Sequence, residues 1–361
     1  MVRTQTEGWV IDTSYLIQKE KFMNRILFLP FALTLTCLST FAQPSDSKTP
    51  QETAKAFTRQ GDYANAILVL NGALQKDPQS LELQKDLSFN YYLGREYPKG
   101  LTIATKMVER PDADVQSYQI LALLYKAIDE TKECEKLYRS GIKRYPRSGV
   151  LYSEYGEMLW AKQDAGAIKL WEKGIEIDPN YSSNYYNAAR YYYFTYDKVW
   201  ALLYGEIFVN LESYSKRTAE IKDLLTEGYK KLFSDADMQK GQDVKSPFVS
   251  AYLNVISKLA FTVKDGITAE SLTVLRTKFI INWFNTYPNN FPFRLFDYQR
   301  QLLKEGMYDA YNQWIFGAAQ NLPAFQTWSN SHGDEYNRFV NFQKGRIFKM
   351  PEGQYYQTAL K

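Results

Sequence analysis

The chain has 361 residues, 45% of them hydrophobic and 23% charged, so it carries ample material for a packed core and too much of it for a disordered chain. Its formal charge of +4, with Lys and Arg interleaved among acids, gives no basic surface of the kind that binds nucleic acid. The departure from ordinary usage is aromatic: 29 Tyr, 21 Phe and 7 Trp make up 16% of the residues.

Met23-Asn24-Arg25 begins a short basic region, followed by an apolar run from Ile26 to Leu38 and the small-x-small ending Thr40-Phe41-Ala42. This is the pattern of a secretory signal over 23–42, cut after Ala42, with an apolar core too short to span a membrane. Polar residues 1–22 ahead of a complete signal read as a start extension, with Met23 as the true start; the alternative is a long native leader. A lipid anchor on Cys37 is disfavoured, because Thr34-Leu35-Thr36 lacks the Leu three residues ahead and the small residue just before. Past the signal only Cys134 remains, so the mature chain has no internal disulfide. The expectation is an exported protein, periplasmic or extracellular, in a Gram-negative envelope, with no transmembrane span once the signal is removed. Residues 43–50, between Pro44 and Pro50, read as a polar linker.

From residue 51 a repeat sets in. Leu74-Gln75-Lys76-Asp77-Pro78, Ile142-Lys143-Arg144-Tyr145-Pro146 and Ile175-Glu176-Ile177-Asp178-Pro179 are the same ending; Pro78 to Pro146 is 68 residues, twice 34, and Pro146 to Pro179 is 33. The lost residue is expected in the Gln163-Asp164 turn. Before each proline, small residues stand at fixed offsets that let two helices approach closely: Ala66 and Ala73, then Gly100 and Ala104, then Cys134 and Gly141, then Ala167 and Gly174. Ahead of these lie a first helix with Leu87-Ser88 and Tyr91, one with Tyr118, Leu121-Ala122 and Tyr125, and one with Tyr152, Tyr155-Gly156 and Leu159. A fifth has Tyr185, Ala188-Ala189 and Tyr192. Cys134, at a small-residue position, reads as a buried thiol rather than a nucleophile.

This period and these offsets resemble the tetratricopeptide repeat (TPR) family. The resemblance implies an all-α, right-handed α-solenoid of helix–turn–helix units, about five of them over 51–213, that binds other chains rather than catalysing. After the fifth unit the pattern frays. Residues 214–344 read as a divergent helical region: an amphipathic helix over 215–233 that caps the solenoid, apolar helices over 248–261 and 272–287, one eroded unit over 292–325, and a last helix over 334–342. Residues 345–361 read as an extended tail.

Catalytic chemistry is hard to place. His332 is the single histidine, and no phosphate-binding Gly-Lys-Ser/Thr loop, Cys-x-x-Cys pair or Gly-x-Ser-x-Gly elbow is present. No pair of carboxylates stands out, so no enzyme activity, cofactor or metal is expected. The resemblance implies a concave groove lined by the first helix of each unit. In that phase stand Phe89 and Tyr92, then Lys126, then Glu157 and Trp160, then Tyr186, Arg190 and Tyr193. The family's carboxylate clamp, a Lys followed four residues later by Asn, is absent, since Lys85 is followed by Phe89. The groove is therefore expected to hold a protein or peptide partner by aromatic burial, with Glu157 and Arg190 setting orientation. An alternative use of exposed rings is as platforms for glycans.

Overall fold

The computed structural model describes residues 49–357. The start extension, the signal sequence and nearly all of the linker lie outside the described residues, as do the last four residues of the tail. Thr49 and Pro50 are inside, and Pro50 is already helical: the Thr49 side chain caps α1 (Pro50–Arg59) in a reciprocal box with Glu52.

The fold is all-helical and built of sequential packed pairs. α1 pairs with α2 (Tyr63–Lys76), α3 (Leu81–Leu93) with α4 (Tyr97–Glu109), and α5 (Val115–Ala127) with α6 (Thr131–Arg144). α7 (Gly149–Ala161) then pairs with α8 (Ala167–Ile177), and α9 (Ser182–Phe194) with α10 (Lys198–Leu211). The turns within the first four pairs share one geometry. Gly61, Arg95, Asp129 and Gln163 stand 34 residues apart and all have positive φ, from 57° to 77°. In each, the next residue's N–H bonds back to the carbonyl five residues earlier, as in Glu96 to Tyr91 at 2.8 Å and Glu130 to Tyr125 at 2.9 Å. That bond satisfies a carbonyl at the helix end and offsets the cost of a left-handed conformation in a residue with a Cβ. In the fifth pair the left-handed residue is missing, and the Lys198 ammonium caps the Tyr192 and Tyr193 carbonyls instead, at 3.3 and 3.0 Å.

The small residues sit where the sequence places them. Ala66, Ala104, Cys134 and Ala167 have no exposed surface. A Cβ added to Gly156 would fall 2.3 Å from Trp171 Nε1, which shows how closely α7 and α8 approach. Burial pushes the Cys134 thiol up to about 11, against a smaller opposing pull from Lys126, so it stays protonated. Since the Gln163 turn is in phase, the lost residue falls just after it. α8 consequently starts late and is 11 residues long, against 14 for α6.

α11 (Lys216–Ser234) continues the first-helix series. Tyr186 bonds Glu220 and Ser183 bonds Arg217, each pair 34 residues apart. Beyond it, α12 (Pro247–Ser257), a short 3-10 turn over Ala260–Val263, α13 (Ala269–Thr286) and α14 (Arg294–Lys304) enclose a core of rings in stacked and edge-to-face contact: Phe248, Phe279, Trp283 and Phe296. α15 runs over Tyr308–Asn312, widens to a π-helical turn over Gln313–Gly317 and closes over Ala318–Gln320. The α14–α15 turn repeats the earlier one, with Gly306 at φ 63° and Met307 N–H on the Leu302 carbonyl at 2.9 Å. The eroded unit does not run to Phe325. α16 (Leu322–Ser331) begins three residues before it, and α17 (Gly333–Lys344) follows. Pro323, which follows Pro288 by 35 residues as a repeat-ending proline would, instead occupies the first turn of α16, where a missing N–H is harmless.

One buried core runs unbroken from Ala167 to Met350, across residue 213. The tail after Lys344 is extended but packed. Asn180 exchanges two hydrogen bonds with the Met350 backbone, at 2.9 and 3.1 Å, and Tyr356 stacks on Phe248 at 4.5 Å.

Candidate partner-binding wall

The first helices α1, α3, α5, α7, α9 and α11 form one wall, stitched by polar bonds between residues about one period apart. Gln51 donates to Asp86, Gln119 to Glu154 at 2.6 Å, and Asn187 to Glu157 at 2.9 Å and to Ser153 at 3.4 Å. Glu154 lies beneath the wall, almost fully buried. Burial raises its pKa, against Lys126 and the hydrogen bonds from Gln119 and Tyr138. Apart from Glu157, these partners were not singled out from sequence, although a 34-residue step from each first helix would have found several of them.

Phe89 and Tyr92 are half-buried and stacked at 6.1 Å, and Tyr92 leans on Tyr97 of α4. Lys126 is exposed, 6.0 Å from the Tyr138 ring. Glu157 is exposed and accepts from Asn187 and Ser153. Trp160, 38% exposed, meets Tyr191 and Trp171 edge-on at 5.3 and 6.1 Å. The fifth-unit residues pack against α11, the next first helix of the wall. Tyr186 donates to Glu220 at 2.6 Å and Arg190 pairs with the same carboxylate at 3.0 Å. Arg217 sits over the Tyr186 ring at 4.9 Å, and Lys231 over Tyr193 at 3.7 Å. The structure thus groups Phe89 with Tyr92 and groups Tyr186 with Arg190, but does not join all eight residues into one surface.

Lys85, the residue nearest to a clamp lysine, is buried and committed: it pairs with Glu82 and Asp114, both at 2.6 Å. Burial works against its charge, but these hydrogen bonds outweigh it and raise its pKa.

Away from the wall, Glu206 of α10 and Arg276 of α13 form a buried ion pair, 5% and 4% exposed. Gln299, Tyr311 and Asn312 complete its hydrogen bonds. No described helix is long and apolar enough to cross a membrane.

No family model and no curated protein matches the chain. Among solved structures, it is similar to TTC0263, a thermophilic TPR protein of Thermus thermophilus, at 14% identity and a TM-score of 0.41, over 49% of this chain and 97% of that one. It is also similar to MamA, at 18% identity and a TM-score of 0.35, over 50% of this chain and 97% of that one. The assignment of helical repeats rests on the pairing and the 34-residue recurrence of the turns.

Proposed function

We propose that the protein is a non-enzymatic scaffold of the bacterial cell envelope, whose wall of first helices holds a segment of a partner protein. The observation that supports this reading is the contrast along the wall. At its far end, Tyr186, Arg190 and Tyr193 are engaged by α11, the last first helix of the wall, through one carboxylate and two cations. In earlier units Glu157 and Trp160 meet the next first helix only through Asn187 and Tyr191 and, with Lys126, stay exposed, and Phe89 and Tyr92 are half-buried. Tyr, Trp and Arg positions of this kind concentrate interface energy. A partner helix or extended strand laid there would cover these exposed rings and charges.

Site-specific photocrosslinking in the native host tests this. With the crosslinker at Tyr92, Lys126 or Glu157, one partner polypeptide should be captured from all three positions, and not from the outward-facing Lys136. Capture only from Lys136, or different species at each wall position, overturns the reading. Envelope location is checked by mass spectrometry of the native chain: an N-terminus at Gln43 supports export, and an intact Met1 or Met23 refutes it.

A further inference from the structure

An open cleft of about 370 Å3 lies between α13 and the start of α15, with Trp328 of α16 on its rim. Its α13 side presents Glu270, Thr273, Thr277 and Lys278, whose spacing of three, four and one residues keeps them on one helical face. From α15 come Asp309 and Gln313. The Gln313 amide donates to Glu270 at 3.2 Å and so joins the two sides.

Two features point to a ligand. The first is the π-helical turn, which starts at Gln313: Trp314 to Gly317 are buried in the core, while Gln313 reaches the cleft. Such widened turns are rare and occur often at functional sites. The second is Trp328. His332 stacks on its ring at 4.6 Å, nearly parallel at 6°. Trp328 lines the cleft and His332 does not, so the indole is braced from behind and presents itself to the cleft. α16, which carries it, has no buried residue. The ring packs partly against the core and also lines the cleft.

The polar groups narrow the chemistry. Among the described residues neither Asp309 nor Lys278 is in an ion pair; Lys278 only approaches the Phe261 ring, at 4.8 Å. An anionic ligand would meet two carboxylates, and a cationic one would meet Lys278. Donors from Lys278, Gln313 and Thr277, acceptors from Glu270 and Asp309, and one aromatic face suit an uncharged ring with hydroxyls at its edge and C–H bonds on its face. The volume is near the lower end of small-molecule pockets, which run from about 300 to 1,000 Å3. We propose that this cleft binds a neutral saccharide of one or two rings, stacked on Trp328. The site is separate from the wall and goes beyond the scaffold reading.

The test is calorimetric titration of the full mature chain with maltose, cellobiose, xylobiose, lactose and N,N′-diacetylchitobiose, alongside a uronic-acid disaccharide and a lysine dipeptide. At least one neutral disaccharide should bind. Trp328→Ala should weaken that binding about tenfold, as loss of one stacked ring implies, and Asp309→Ala should weaken it as well. Phe89→Ala, on the wall, should leave it unchanged, which separates this site from the partner surface. Trp328→Ala should retain the wild-type helical signal by circular dichroism, although loss of its partly buried ring will lower the melting temperature. The proposal is overturned if no neutral disaccharide binds at about 10 mM, a concentration that would reveal even millimolar affinity. Binding that survives Trp328→Ala, or binding confined to the charged probes, also overturns it.

Discussion

Replacing Arg276 by Met would test how the helices after α11 are held to the repeats. The guanidinium donates to Glu206 Oε1 and, at 2.5 Å, to Asn312 Oδ1. Gln299 and Tyr311 donate to the same Glu206 oxygen at 2.5 and 2.8 Å. Burial opposes the charge of Arg276, but the facing carboxylate wins and its pKa lies well above the ordinary value. Met keeps the volume of the stem and removes the charge, so Glu206 is left buried with two neutral donors. Breaking one side of such a pair costs about 3–5 kcal/mol, and the two surviving donors place the expectation in the lower half. Against a domain stability of about 5–15 kcal/mol this is a large loss. Adding Glu206→Gln removes the stranded charge while keeping an oxygen for Tyr311, so the double variant should recover at least half of the deficit. Urea unfolding followed by tryptophan fluorescence and by far-ultraviolet circular dichroism measures both. An Arg276→Met midpoint equal to wild type, or a double variant weaker than the single, would refute the assignment of this pair as the tie between the two parts.

Burial lifts Glu172 from 4.5 to about 8, despite its hydrogen bond from Tyr192 at 2.5 Å, and lifts Asp197 from 3.8 to about 7. Both folded values exceed the unfolded ones, so the fold binds these protons more tightly: their stabilisation is full below the unfolded pKa and is lost as pH rises through about 7 to 8. Denaturant midpoints should therefore fall between about pH 5 and 9, and Glu172→Gln should flatten the curve; a wild-type midpoint that rises over this range contradicts the account. Gly156→Ala drives a methyl group into Trp171 and should cost about 1–3 kcal/mol by overpacking. Gly72→Ala, also in a helix but with nothing within 4 Å of the new methyl, should gain up to about 1 kcal/mol from helix propensity. Equal melting temperatures for these two variants would show that the α7–α8 contact is looser than described.

The repeat, its period and its close contacts were legible in the sequence because each is a local demand. Two helices can approach only where Ala66, Cys134, Ala167 or Gly174 leaves room, and a proline after the second helix marks its end. The turns were half legible: Gly61 announces a left-handed residue, but Arg95, Asp129 and Gln163 adopt the same conformation because the helix-end hydrogen bond offsets its cost, and their side chains give no sign of it. Pro323 misled for a related reason, since proline closes one helix and opens another equally well. What only the tertiary structure decided is how distant segments meet. α11 covers Tyr186, Arg190 and Tyr193; Arg276 finds Glu206 70 residues away; Met350 reaches Asn180 across 170; and Trp328 comes to stand over α13. Periodicity fixes which face of a helix is apolar, but not which of several apolar faces it will meet. That choice depends on the summed fit of side chains from helices far apart in the chain, which no single stretch of sequence contains.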